Sequence, residues 1–274
     1  MNKKWPKPGM AALPAMLVIT VAITAGCVSA PRDDAEDRAA GTAAIAPAQV
    51  SSFSGHPPGA ALPPGWEPWI FSAFKRPTDY RLVDEGGTSI IHAHAQSSAS
   101  GIIHPLLLEP QTYPLLAWRW KTDALLARAD NTRRHLDDAP LRLLVAFDGD
   151  RDALPLDERL LADSVRLLTG RTMPYATLVY ILENRAPVGT IIPNRHTPRI
   201  KMIVAASGAD GLGAWQHITR NVVEDYRRAF GAEPGKITAV GIMTDTDNTH
   251  DEAQSWYGDI VFRKAAQAGA ASTR

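Results

Sequence analysis

Thr244-Asp245-Thr246-Asp247-Asn248-Thr249 sets six oxygen-bearing side chains in a row at the end of an apolar run, and hard oxygen donors are what a calcium ion takes. The spacing does not complete an EF-hand loop, because His250 stands where its glycine belongs and Trp256 where its bidentate glutamate belongs. Asp245, Asp247 and Asn248 are therefore the calcium candidates. The competing reading is a turn whose Asp and Asn side chains accept nearby backbone amides. Asp137-Asp138 and the Asp245/Asp247 pair also offer carboxylates from which a glycosidase could draw an acid and a base, but neighbouring positions do not establish the separation that chemistry needs.

His92 and His94 lie two apart, so on a strand they project from one face, the spacing of paired zinc ligands in some β-sheet enzymes. A third ligand would have to be His104, His196, His217 or an acid, and nothing in the spacing selects one. The alternative is a solvent-facing or half-buried pair. In Leu115–Thr122, Leu116, Trp118 and Trp120 share one face while Ala117, Arg119 and Lys121 share the other. The two tryptophans read as core, since large aromatics usually serve burial, with a sugar-stacking platform as the alternative. Arg119, in mid-strand between them, lies either at the bottom of a binding groove or in a partly buried pair with a carboxylate, for which Asp245 is the candidate. Ser97-Ser98-Ala99-Ser100-Gly101 lacks the first glycine of a nucleophile elbow and reads as a strand end and turn. The chain has no phosphate-cradling glycine loop and no dinucleotide fingerprint.

The elements that must hold these groups sit in a chain of 274 residues, 45% hydrophobic and 21% charged, enough to build a sizeable core. Its 29 basic and 29 acidic side chains cancel, and no basic cluster beyond the first residues could follow a phosphate backbone, so nucleic acid is not an expected partner. The single cysteine excludes an internal disulfide, a CxxC pair and a multi-thiolate zinc site. That cysteine has a context of its own. Lys3, Lys4 and Lys7 precede an apolar run from Ala11 to Ala25, interrupted by Pro14 and too short to span a bilayer, which is the pattern of an export signal. Ile23-Thr24-Ala25-Gly26-Cys27 resembles the lipobox of bacterial lipoproteins, which implies lipidation at Cys27 and loss of residues 1–26. Val28 rather than Asp after the cysteine implies, by the same resemblance, the outer membrane, with the domain facing the periplasm. The expected membrane contact is then the lipid anchor.

From residue 27 to 64 the chain is rich in Ala, Pro, Gly and Ser and reads as a flexible tether. Residues 65–264 read as one domain of short β-branched and aromatic segments separated by turn residues, and 265–274 as a disordered tail. Strands are predicted at 69–74, 80–84, 89–96, 115–122, 141–148, 176–183, 199–206, 219–223, 237–244 and 257–263. Helices are predicted at 157–168 and from about Asn221 or Val223 to Gly231, the second carrying Tyr226 and Phe230 at i and i+4. The fold class that follows is all-β, an antiparallel β-sandwich of jelly-roll type with one or two short helices.

AHAQSSASG from Ala93, PLLAWRWK from Pro114, Asp137-Asp138-Ala139-Pro140, RNVVEDYRRAFG from Arg220, VGIMTDTDNT from Val240 and WYGDIVF from Trp256 together resemble family 3047 of the bacterial domains of unknown function, over roughly residues 65 to 264. The resemblance implies an exported protein of unestablished activity. The final strands resemble those of galactose-binding-like jelly rolls and carbohydrate-binding modules, which implies a structural calcium in some of them. The expectation is a non-catalytic envelope protein binding a glycan or other polar envelope ligand through Arg119, Asp245, Asp247 and Arg220. The alternative is a saccharide-acting enzyme that uses acid and base carboxylates.

Overall fold

The computed structural model describes residues 49–59, 61–70, 74–169 and 172–265. The signal segment, Cys27, the tether as far as residue 48 and the tail from 266 lie outside the described residues. In chain order the elements are β1 (Glu67–Trp69), β2 (Asp79–Glu85), β3 (Thr88–Gln96), β4 (Ala99–Leu108), β5 (Leu115–Thr122), β6 (Ala139–Phe147), α1 (Leu156–Thr169), β7 (Ala176–Glu183), β8 (Ile191–Pro193), β9 (Ile200–Ser207), β10 (Gln216–Asn221), α2 (Val222–Phe230), β11 (Ile237–Asp245), β12 (Glu252–Tyr257) and β13 (Val261–Arg263). They form a sandwich of a seven-stranded sheet, ordered β1-β4-β11-β6-β7-β9-β8, and a six-stranded sheet, ordered β10-β5-β12-β3-β2, with β13 also paired to β5.

The sequence shows why the two sheets differ. In β6 (APLRLLVAF) and β7 (ATLVYILE) apolar residues run without alternation, and every position is buried. Such strands are covered on both faces. Leu141, Leu143, Val145, Leu178 and Tyr180 point into the sandwich, and Leu144, Val179 and Ile181 join Ile192, Met202 and Val204 in a second apolar layer on the other side. In β5, β3 and β12 buried and half-buried or exposed residues alternate, so the six-stranded sheet keeps one wetter face. Its inner face supplies Ile91, Ala93, Leu116, Trp118, Trp120 and Tyr257 to the core. Trp118 and Trp120 are both buried, as their alternation predicts. Trp118 packs edge-on to Trp120 at 5.4 Å and against Tyr180 of the opposite sheet at 5.1 Å, so one indole joins the layers.

The helices fall where their patterns place them. α1 lies between β6 and β7, and α2 is capped by Asn221, whose side chain accepts from the amides of Val223 and Glu224, and is closed by Gly231 in the left-handed conformation.

Four expectations change. The Ser97–Gly101 segment is a strand end and turn only at Ser97 and Ser98, which follow β3, and from Ala99 it opens a ten-residue strand, Ala99–Leu108, between β1 and β11. Pro105 and Gly101 disguise it, and Gly101 is there because a Cβ would fall 2.6 Å from the Ile242 carbonyl oxygen. The sheet is not wholly antiparallel, because β7 and β9 pair in parallel. The predicted strand at 257–263 is two pieces, β12 ending at Tyr257 and β13 beginning at Val261, both on β5.

The domain boundary also moves. Phe53, assigned to the tether, is fully buried and lies 4.8 Å from Trp66. The amides of Phe53 and Ser54 donate to Asp259 at 2.7 and 3.0 Å, and the Trp66 indole donates to the Ser51 carbonyl at 2.8 Å. The domain therefore includes the chain from about residue 50. Phe53→Ala should destabilise it by about 3–5 kcal/mol, and a chain beginning at residue 60 should melt well below one beginning at residue 45. Denaturant unfolding checks both, and equal stability of the two chains would return residues 50–60 to the tether.

Candidate functional site

Arg119 and Asp245 do not meet. Arg119 lies on β5 of the six-stranded sheet and Asp245 on β11 of the seven-stranded sheet, so the polar floor expected from the pair does not exist. Side-chain alternation reports a face and carries no information on which sheet a strand joins. The carboxylate of Asp245 instead accepts from Arg142 Nε at 2.8 Å and from the Ala139 amide at 3.0 Å. Arg142 also reaches Asp137 at 2.9 Å. It is the one charged residue among the nine of β6, and the rule that an ionised group in such a strand must be paired could have found it from the sequence.

The two acidic motifs are brought together around this pair. Asp138 accepts from the amide and hydroxyl of Thr249 at 2.7 Å each, and from the amide and side chain of Asn248 at 3.3 and 3.1 Å. Asp247 pairs with Lys75 at 2.6 Å. Burial, reinforced by the charges of Asp138 and Asp137 and opposed by Arg142, pushes the Asp245 carboxyl up to about 7. Burial also acts to raise Asp137, but the charge of Arg142 and the hydrogen bonds from Arg142 and Asn131 outweigh it and hold that carboxyl below its usual range.

Asp138, Asp245 and Asp247 converge within 4.8 Å and are, among the described residues, the one acidic group placed to hold a metal. Four of their six carboxylate oxygens already accept from protein donors. Both oxygens of Asp138 are taken by four N–H and O–H donors, Asp245 is held by a guanidinium and an amide, and Asp247 by an ammonium. Within this group, Asp247 Oδ1 is buried without a partner. The arrangement is a hydrogen-bonded plug that ties two loops together. It also gives no room for acid and base catalysis, since Asp138 and Asp245 are 1% and 4% exposed.

Arg220 is a second structural pair. It makes a two-pronged contact with Asp225 of α2, which also accepts from the Tyr180 hydroxyl at 2.9 Å. Asp225 is buried, so Arg220 joins β10 and α2 to the core.

The outer face of the six-stranded sheet is different in kind. A row of alternating cationic and aromatic groups crosses it. The Arg119 guanidinium lies 4.5 Å from the ring centre of Trp215, Lys121 Nζ lies 5.4 Å from Trp215 and 4.5 Å from Trp256, and His92 stacks on Trp256 at 5.2 Å. Trp215, Arg119, Lys121, Trp256 and His92 are all partly exposed. Lys121 is paired with Glu85. His92 and His94 share this face as their spacing requires, but each is engaged with β12: His92 lies 3.1 Å from Gln254 and His94 2.7 Å from Glu252, so they do not form a zinc pair. Trp215, just before β10, and Trp256, on β12, were not among the expected site residues. Trp256 had an available signal, since it alternates with buried Ser255 and Tyr257.

The plug generates a pH prediction. Because the folded state holds the Asp245 proton up to about pH 7 while an unfolded aspartate releases it near its ordinary 3.8, the stabilisation is complete below about pH 4 and is lost as pH rises through about 7. Asp245→Asn should remove that slope in melting curves taken from pH 4 to 8. Arg142→Met should cost about 3–5 kcal/mol at pH 7 by leaving Asp137 and Asp245 without their cation.

No curated protein matches this chain. Among solved structures, it is similar to the family 30 carbohydrate-binding module of a cellulosomal cellulase of Clostridium thermocellum, with 10% identity and a TM-score of 0.33 over 82% of this chain and 96% of that one. The model of the protein family of unknown function DUF3047 matches residues 64–261, most of the folded domain, and the chain belongs to that family.

Proposed function

We propose that this protein is an exported, lipid-anchored envelope protein whose sandwich binds a glycan without catalysis on the outer face of the six-stranded sheet. One observation carries the reading: Trp215 and Trp256 lie part-exposed on that face on either side of Lys121. Pyranose rings present flat patches of C–H that pack on indole faces, and a ring of hydroxyls that needs polar partners at the rim. Gln254, Glu252 and His94 stand on the same face of neighbouring strands and supply those partners. Arg119 remains a binding residue in this reading. Asp245, Asp247 and Arg220 leave it, because each is engaged within the fold. Export and anchoring rest on the basic, apolar and lipobox segments that end at Cys27.

The enzymatic alternative has less support. Asp138 and Asp245 are enclosed in the plug, and the acids of the platform, Glu85 and Glu252, are paired with Lys121 and His94.

Screening the full-length, detergent-solubilised protein on a glycan array tests the binding claim. Trp256→Ala and Trp215→Ala should each weaken the best saccharide at least about tenfold, or about 1.4 kcal/mol, while the domain keeps its cooperative unfolding. No saccharide bound by the wild type, or full binding by both variants, would overturn the glycan reading. Intact mass of the membrane fraction tests the anchor, and an unmodified thiol at Cys27 would remove it.

A further inference from the structure

Arg119 differs from every other cation on the platform. Lys121 is paired with Glu85, and Arg81 at the sheet edge with Asp79. The Arg119 guanidinium makes no hydrogen bond or ion pair with any described residue and lies instead over the Trp215 ring at 4.5 Å. A guanidinium carries five donors in a planar fork, and leaving them all without a protein partner on a partly buried strand is unusual unless water or a ligand takes them.

The group is also held in place. Its stem lies against Gly258, where an added Cβ would fall 2.5 Å from Arg119 Nε and 2.6 Å from Arg119 Cγ. The Gly258 amide donates to the Arg119 carbonyl at 3.0 Å, so the backbones are locked at the same point. The glycine's use here is space, because any side chain would occupy the volume the arginine fills. Trp215 on one side and Gly258 on the other thus restrict a long side chain that would otherwise lose several rotors on binding.

Resting on the glycan reading above, we propose that Arg119 makes the platform selective for acidic saccharides, taking the carboxylate of a uronate residue while Trp215 and Trp256 take the sugar rings. A carboxylate matches the fork in a two-pronged contact, and stacking on Trp215 leaves the edge N–H groups of the guanidinium free to donate. Glu85 on this face is already paired with Lys121, so it does not oppose an incoming anion as a free charge would.

The test compares an oligogalacturonate with its methyl ester, which replaces each carboxylate by a neutral group one methyl larger, by calorimetry with the full-length protein at constant salt. The wild type should bind the acid at least about tenfold more tightly than the ester. Arg119→Gln should bring the two within about twofold by costing the acid far more affinity than the ester, and Trp256→Ala should weaken both probes alike. Gly258→Ala should reduce the preference although the arginine is present, because its guanidinium is displaced. Equal binding of acid and ester by the wild type, or a preference that survives Arg119→Gln, would overturn the proposal and leave the glycan reading standing. Failure of the wild type to bind either probe or any neutral saccharide would remove both.

Discussion

A guanidinium buried in an apolar strand forces its surroundings to be polar, and Arg142 sets that requirement for one end of this sandwich. It lies at 6% exposure in β6, held by Asp245 from β11 and Asp137 from the segment that leads into β6. Those two carboxylates in turn bring in Asp138, Asn131, Asn248 and Thr249 as neighbours or hydrogen-bond partners. The loop between β11 and β12, which carries the chain from one sheet to the other, is therefore pinned by Asp138 at Asn248 and Thr249. β12 begins only three residues later, at Glu252. The position of Trp256 on the outer face of the six-stranded sheet depends on where that loop is fixed.

The Pro140 carbonyl continues the same device toward the interior. It accepts from the hydroxyls of Thr244 on β11 and Ser255 on β12, at 2.9 and 2.6 Å, while Tyr257 donates to the Met243 carbonyl at 2.7 Å. Strands of opposite sheets are thus joined by hydrogen bonds inside a mainly apolar core, where polar groups must be paired. Burial pushes the Tyr257 hydroxyl above its ordinary range, which keeps it a neutral donor.

The division of labour between the sheets follows from the same economy of burial. The seven-stranded sheet is covered on both faces over β6 and β7 and keeps the one charge of β6, Arg142, inside the plug. The six-stranded sheet contributes one face to the core and leaves the other with tryptophans, cations and amides. On that face the cations are ordered by ring contacts as well as by acids, so Arg119 is positioned while its N–H groups stay available. An acid facing it would have consumed those donors.

What the sequence by itself determined was local. Alternation in PLLAWRWKT separated Trp118 and Trp120 from Arg119 and Lys121, the continuous apolar runs marked the central strands, and Asn221 with Gly231 bounded α2, because these patterns depend only on a residue's neighbours along the chain. The tertiary structure decided which strands pair. Arg142 and Asp245 are 103 residues apart, and no local rule could prefer that carboxylate to another for Arg142, or deny Asp245 to Arg119. It likewise placed Phe53 in the core from within an Ala- and Pro-rich stretch, where composition predicts only a tether, because one aromatic finding a cavity beside Trp66 is an event of packing. The row from Arg119 through Trp215 to Trp256 and His92 draws on four separate stretches of chain, so its existence as a surface is set by strand order alone.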